Sequence, residues 1–299
     1  MRRRAPIRAT ALAAAAAVAL CAALAAGCGG ESPSARPERA RAAPPDRFDG
    51  AAAFRWARRQ VRYGPRPAGS RASRRLSVDL LSALPNGRFQ KVPGGLRNVI
   101  GRVEGRDLRR VVVVGAHYDT KDIPGFVGAV DGASGTAVLM ELAQTIRPRQ
   151  LRPTLVFALF DGEESPRGTA DTEAAFLRRG LRGSKVAARR LDHAEAMILL
   201  DFVGNRDLQL PREGFSDKQL WARLRAAAAK VGAGATFPPR TGYEISDDHV
   251  PFQDAGVPAI DLIDFDFPCW HRRCDDLSQV SERSLDATGE SVLQLLLTL

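Results

Sequence analysis

From residue 97 onward, short apolar runs alternate with longer stretches of helical spacing. Residues 97–103, 110–115, 154–160, 196–203 and 259–263 read as strands. The second of these holds four consecutive valines, the pattern of a strand buried on both faces. Residues 133–147, 173–190, 216–231 and 284–297 read as helices. So do 49–62 and 71–84, which the Gly/Pro breaker GPRPAGS separates. Strands and helices in this alternation predict one α/β domain over residues 47–299. Its central sheet is expected to be mixed and mostly parallel, with helices on both faces. A hydrophobic content of 44% suits a globular chain rather than a disordered one.

The first 46 residues follow another logic. Arg2, Arg3, Arg4 and Arg8 precede an Ala/Leu/Val run over 9–26, which ends in the small residues Gly27-Cys28. This is the layout of a cleaved signal segment, residues 1–27. The alternative is an uncleaved membrane anchor, since the run is nearly long enough to span. The segment LAAGC resembles a bacterial lipobox, which makes Cys28 a candidate for lipidation; free secretion is the other outcome. Residues 28–46 are rich in Pro, Ser, Ala and Arg and read as a flexible tether. The expectation is an exported protein, held through lipid on the extracytoplasmic face of a bacterial membrane or secreted.

The net charge is +10, and the leader carries four of those positives with no acid, leaving +6 from Cys28 onward. Most of it is scattered arginine without interleaved aromatics, so nucleic-acid binding is not expected. An extracytoplasmic space permits a disulfide between Cys269 and Cys274, which bracket Trp270 and His271. Two free buried thiols are the alternative. With no second cysteine pair, a cysteine-based zinc site is disfavoured.

The polar residues cluster where strands end. His117 and Asp119 close the valine strand, and Asp161-Gly162-Glu163-Glu164 closes the next. Asp201 lies in the strand 196–203, and Trp270-His271 follows the last strand. In an open sheet, functional residues gather at the carboxyl ends of strands, so four elements deliver acids and histidines to one rim. Asp119, two positions after His117, faces the same way and can orient a ligating imidazole, or it can cap a turn. Asp131 precedes a helix and can be a simple N-cap. Glu163 and Glu164 can divide the work, one on a metal and one moving protons, or they can be ordinary surface acids. His193 lies in a polar loop and reads as surface.

Taken in order, the motifs GAHYDTK, FVGAVDGASG, LVFALFDGEES, ILLDFVG, SDDHVPF and CWHRRCDDLSQV resemble those of zinc-dependent aminopeptidases and the related glutaminyl-peptide cyclotransferases. The resemblance spans about residues 50–299 and includes the early RYGPRPAGS. It implies metal ligands Asp131, Glu164 and His271, with Glu163 as the proton-transfer residue. His117 and Asp201 would hold a second metal with Asp131 bridging, so one zinc or two are implied. Asp247-Asp248-His249 and Trp270 resemble the cyclotransferase branch. There Asp247 helps hold substrate and steer the proton, Asp201 assists it, and Trp270 walls the pocket. Trp270 as a buried core aromatic is the alternative. Lys121 is likewise implied to touch substrate. The implied reaction converts N-terminal Gln of a peptide to pyroglutamate with release of ammonia. An aminopeptidase and a non-catalytic binding lipoprotein are the alternatives. Two departures stand out: Asp261 occupies a position where many cyclotransferases carry histidine, and no tryptophan closely follows Glu164.

Overall fold

The computed structural model describes residues 47–299. The leader 1–27, the tether 28–46 and Cys28 lie outside the described residues. Two helices come first, α1 (Gly50–Val61) and α2 (Arg71–Ala83), started by Asp49 and Ser70, whose side chains accept the N–H of Ala52 and Ser73. The strands follow as β1 (Arg88–Val92), β2 (Leu96–Val103), β3 (Asp107–His117), β4 (Pro153–Phe160), β5 (Ala196–Leu200) and β6 (Ala259–Leu262). Between and after them lie α3 (Ala133–Thr145), α4 (Glu173–Arg179), α5 (Arg182–Ala188), α6 (Lys218–Lys230), α7 (Val250–Asp254) and α8 (Glu282–Leu296).

The sheet runs β1-β2-β4-β3-β5-β6. The pairs β1–β2 and β2–β4 are antiparallel; β4–β3, β3–β5 and β5–β6 are parallel. This is the mixed, mostly parallel sheet expected from the sequence. The valines explain its centre. Val112 and Val114 join one apolar cluster with Ile198, Ile260 and residues of α1, α2, α3, α6 and α8. Val111 and Val113 join the other, with Met197, Ala187 of α5 and Phe252 of α7. Period-two alternation therefore feeds two cores, and helices cover both faces.

Three expectations change. The helix expected over 173–190 is two helices, α4 and α5, broken at Gly180–Leu181, where Leu181 takes a left-handed φ of 54°. The break turns two amide donors outward: Leu181 donates to the Glu163 carbonyl at 2.8 Å and Arg182 to that of Gly162 at 2.9 Å. A Cβ on Gly180 would lie 2.6 Å from the Glu163 carbonyl oxygen, so the contact needs glycine. Second, β5 ends at Leu200, which leaves Asp201 just beyond the strand rather than within it. Third, β1 had no signal in the sequence reading. Its RFQKV pattern is largely polar, and it pairs at the sheet edge through a hairpin at Val92↔Leu96. Among the described residues, no helix is long and apolar enough to cross a membrane.

One buried acid lies away from the strand-end rim. Glu141 of α3 is buried, and its carboxylate accepts the Thr145 hydroxyl at 3.2 Å. Burial pushes its pKa from 4.5 up to about 7. The folded state then holds a proton that the unfolded chain releases, so stability is greatest at low pH and falls as pH rises from about 4.5 through 7. Glu141→Gln is expected to stabilise the fold by about 1–3 kcal/mol at pH 8 and by almost nothing at pH 4. Thermal melts of both proteins at the two pH values measure this difference.

Candidate metal centre and active site

The parallel strands all end on one rim. His117 at the end of β3 pairs with Phe160 at the end of β4, and Leu200 of β5 with Leu262 of β6. Each polar motif leaves the sheet there. His117, Asp131, Glu163, Glu164, Asp201 and Asp247 are all buried, while His271 is part-buried.

Asp131 is the hub. Its Oδ1 lies 3.3 Å from His117 Nε2, and the same nitrogen lies 3.3 Å from Asp201 Oδ1. Its Oδ2 lies 3.5 Å from His271 Nε2, which is 3.2 Å from Glu164 Oε1. Two triads result, His117–Asp131–Asp201 and Asp131–Glu164–His271. In each, one ligand atom per residue lies within 4.8 Å of the others. Asp131 Oδ2 and Glu164 Oε1 are buried and have no hydrogen-bond donor. Buried carboxylate oxygens without donors are costly unless a cation satisfies them. The residues therefore fit a metal ion.

Local structure explains how these atoms meet. Asp131 does not cap α3: the cap is Gly132, with no side-chain hydrogen bond. Gly132 has φ 78°, and a Cβ there would lie 2.7 Å from His117 Cε1, so only glycine lets the turn close over the imidazole. The Glu163–Glu164 turn is gripped from two sides. Asp119 accepts both of its amide N–H groups, at 3.2 and 3.3 Å, while Arg182 donates to the Glu164 carbonyl at 2.8 Å. Asp119 stands 3.7 Å from His117 Nδ1, outside hydrogen-bond range, so its direct role is to hold the turn. His271 takes a left-handed φ of 51° inside the loop closed by the Cys269–Cys274 disulfide. Such a conformation in a residue with a Cβ costs about 1–3 kcal/mol and persists where its surroundings enforce it.

Electrostatics separates the two adjacent glutamates. Burial alone would raise Glu164, but His271 and Lys121 outweigh it and hold its pKa down to about 2. Lys121, expected at the substrate, places Nζ 2.8 Å from Glu164 Oε2 and stays part-exposed. Glu163 is pushed well above the carboxylate range by burial, then by the charge of Glu164, with Asp247 and Asp248 adding to it against His117. Burial likewise raises Asp201 to about 7, against the pull of His117. One glutamate is thus suited to stay ionised and the other to carry a proton. Asp247 completes the acid cluster, with Oδ2 buried and without a donor. Trp270 is 42% exposed, not a core aromatic. It stacks on His271 with ring centroids 4.5 Å apart and meets Phe265 at a tilt of 53°, centroids 4.9 Å apart. His193 is exposed in its loop.

Residues 98–296 match the sequence pattern of peptidase family M28. The chain belongs to that family. The glutaminyl-peptide cyclotransferase of Drosophila melanogaster is 29% identical over 209 residues, 60% of this chain and 58% of that protein. This chain thus spans less than two thirds of that curated relative. The glutaminyl cyclase of Bacteroides thetaiotaomicron, solved bound to N-acetylhistamine, superposes with TM-score 0.74 at 26% identity, over 85% of this chain and 99% of that one. A Zn-dependent exopeptidase from Parabacteroides distasonis gives TM-score 0.75 at 25% identity, with the same two coverages of 85% and 99%.

Two residues of this M28 site escaped the sequence reading. Asp275, just after the second disulfide cysteine, accepts the N–H groups of Val130 and Asp131 at 2.7 and 3.1 Å. It ties the His271 loop to the Asp131 turn, and so fixes two candidate ligands against each other. Arg66, in the early GPRPAGS segment, is fully buried and donates to the carbonyls of Val127 at 2.8 Å and Gly64 at 3.1 Å. Burial lowers its pKa to about 10, opposed by Asp131, Asp275 and Asp119, so it stays charged at neutral pH behind the acids.

Proposed function

We propose that the protein is a zinc-dependent glutaminyl-peptide cyclotransferase, acting on peptides with N-terminal Gln. The observation that carries this reading is Trp270, solvent-facing and stacked on His271 beside the Asp131–Glu164–His271 triad. It supplies a flat apolar wall for a side-chain amide at the metal. Mixed imidazole and carboxylate donors favour zinc over magnesium or calcium, which prefer oxygen alone. The cyclotransferase relatives and the zinc-dependent neighbour support the same assignment.

Zinc, when bound, would act as a Lewis acid on the γ-amide carbonyl of the substrate. The protein's own residues do the rest. Glu163 accepts a proton from the attacking α-amine and delivers it to the departing nitrogen. The bond from α-nitrogen to Cδ forms, the amide C–N bond breaks, and ammonia leaves. Asp247, with Asp248 beside it, favours the protonated form of Glu163 between the two transfers, and Asp201, coupled by charge to Asp247, is assigned a supporting part. Amine and amide belong to one residue, so the enzyme need only orient them.

A second reading rests on His117 and Asp201, which with Asp131 make a complete second triad. Two metals there would suit an aminopeptidase, in which Glu163 serves as base toward water. Mass spectrometry of a Gln-initiated peptide after incubation separates the two. The proposal expects loss of one ammonia from the intact peptide; release of free Gln with a shortened peptide would favour the peptidase. We further infer export with residues 1–27 removed and Cys28 acylated. The leader pattern supports this, and so does the Cys269–Cys274 disulfide, which suits an oxidising compartment.

A further inference from the structure

The charge of the domain is not spread evenly. Residues 47–83 hold nine arginines against Asp49 and Asp79 alone. Residues 84–299 hold 28 basic and 29 acidic side chains. The net positive charge of the described domain therefore comes from its first two helices and their connection.

On α1, Arg55, Arg58, Arg59 and Arg62 are exposed at helical spacing i, i+3, i+4, i+7. Ala53, Trp56, Ala57 and Gln60 of the same helix are buried. On α2, Arg71, Arg74 and Arg75 are exposed while Leu76 and Leu80 are buried. The two stripes touch: Arg59 bonds Asp79 at 2.9 Å, and the Arg75 guanidinium lies 5.6 Å from the Tyr63 ring. Along the α2 side runs a groove of about 570 Å³, lined by Tyr63, Arg71, Arg74, Arg75, Val78 and Asp79. Val78 is 51% exposed, an apolar side chain among guanidinium groups.

We propose that this α1–α2 face docks on an anionic lipid surface. Guanidinium groups pair with phosphodiester head groups in a bidentate fashion, and Val78 offers the apolar contact that the glycerol region can use. The sequence also brings such a surface within reach. The 22 residues from Cys28 to Gly50 could reach at most about 80 Å; Arg36, Arg39 and Arg41 there are balanced by Glu31, Glu38 and Asp46, so the positive charge belongs to the α1–α2 face itself. Among the described residues the aromatic at this groove, Tyr63, is part-buried and already faced by the Arg75 guanidinium, which favours lipid over base stacking by nucleic acid. The proposal rests on the exported reading, and it is read out by binding rather than turnover, so it can fail without the enzymatic assignment.

The test uses the mature chain from position 28 with Cys28→Ala, so that neither the leader nor an acyl chain contributes, in co-sedimentation with lipid vesicles. Binding to phosphatidylglycerol/phosphatidylcholine vesicles is expected to exceed binding to pure phosphatidylcholine and to weaken with salt. Among the described residues Arg58, Arg62 and Arg71 have no side-chain partner, so Arg58→Glu, Arg62→Glu and Arg71→Glu are combined in one variant. At about fivefold per basic group, the anionic-vesicle affinity should fall at least about 100-fold. The melting temperature and the turnover of Gln-initiated peptide should stay unchanged. Equal binding of the variant, equal binding to both vesicle types, or tighter binding of a duplex oligonucleotide at the same salt would overturn the proposal.

Discussion

Glu163→Gln is expected to lower turnover of a Gln-initiated peptide by about 10²–10⁴-fold, the usual contribution of a positioned acid–base group. Zinc content should stay as in the parent protein, because Glu163 belongs to neither ligand triad. The substitution keeps the size of the side chain and removes only its capacity to take up and release a proton. It also removes one member of a crowded acid cluster, so the fold should be no less stable. Turnover and metal analysis on the same sample decide the matter. A rate within a few-fold of the parent would take Glu163 out of the mechanism; loss of zinc would make it a ligand.

Asp131→Asn is expected to have the opposite profile. Asp131 is the one residue common to both triads, each of its oxygens facing a different histidine. Zinc affinity should fall by more than the roughly 10–100-fold that loss of a supporting partner costs. Turnover should fall with it. The metal-free protein should still fold, since removing a charge relieves a site already crowded with buried acids. Zinc raises the stability of a protein that binds it only when folded, by about 2.7 kcal/mol at 100 times Kd. The parent should show this gain in its thermal melt at a zinc concentration where the variant shows none. A variant that kept the gain would show that Asp131 is not the hub.

Much of this site was legible in the sequence because its residues sit at the ends of buried apolar strands. His117, the Glu163–Glu164 pair and His271 each follow such a run, and a parallel sheet brings those ends to one rim. The residues that hold the ligands in place were not legible. Arg66 acts through backbone carbonyls of residues 64 and 127, and Asp275 through amides of residues 130 and 131. Such partners follow from tertiary contact and leave no periodicity. Asp119 shows the intermediate case. Its position next to His117 was readable, but its bonds go to the turn across the strand gap rather than to the imidazole. The break at Gly180–Leu181 has the same origin, since the helical spacing of residues 173–190 carries no mark of the Glu163 carbonyl that interrupts it.

Departures from the cyclotransferase pattern also have structural counterparts. Asp261, where many cyclotransferases carry histidine, is fully buried and lies 3.9 Å from His249 Nδ1. On its other side His249 meets Glu213 at 3.2 Å. Glu213 is itself anchored by the amides of Phe215, Ser216 and Ile245. The segment carrying Asp247 thus places a buried imidazole between two acids, one of them on β6.

The proposed function places a single catalytic zinc at Asp131, Glu164 and His271, serving cyclisation. It is tested most directly by adding zinc stepwise to the metal-stripped protein while following both pyroglutamyl peptide and free amino acid. Pyroglutamyl peptide is expected to appear with the first equivalent, its rate levelling off there, with no free amino acid released. Activity that rises only with the second equivalent and yields free N-terminal residues would contradict it.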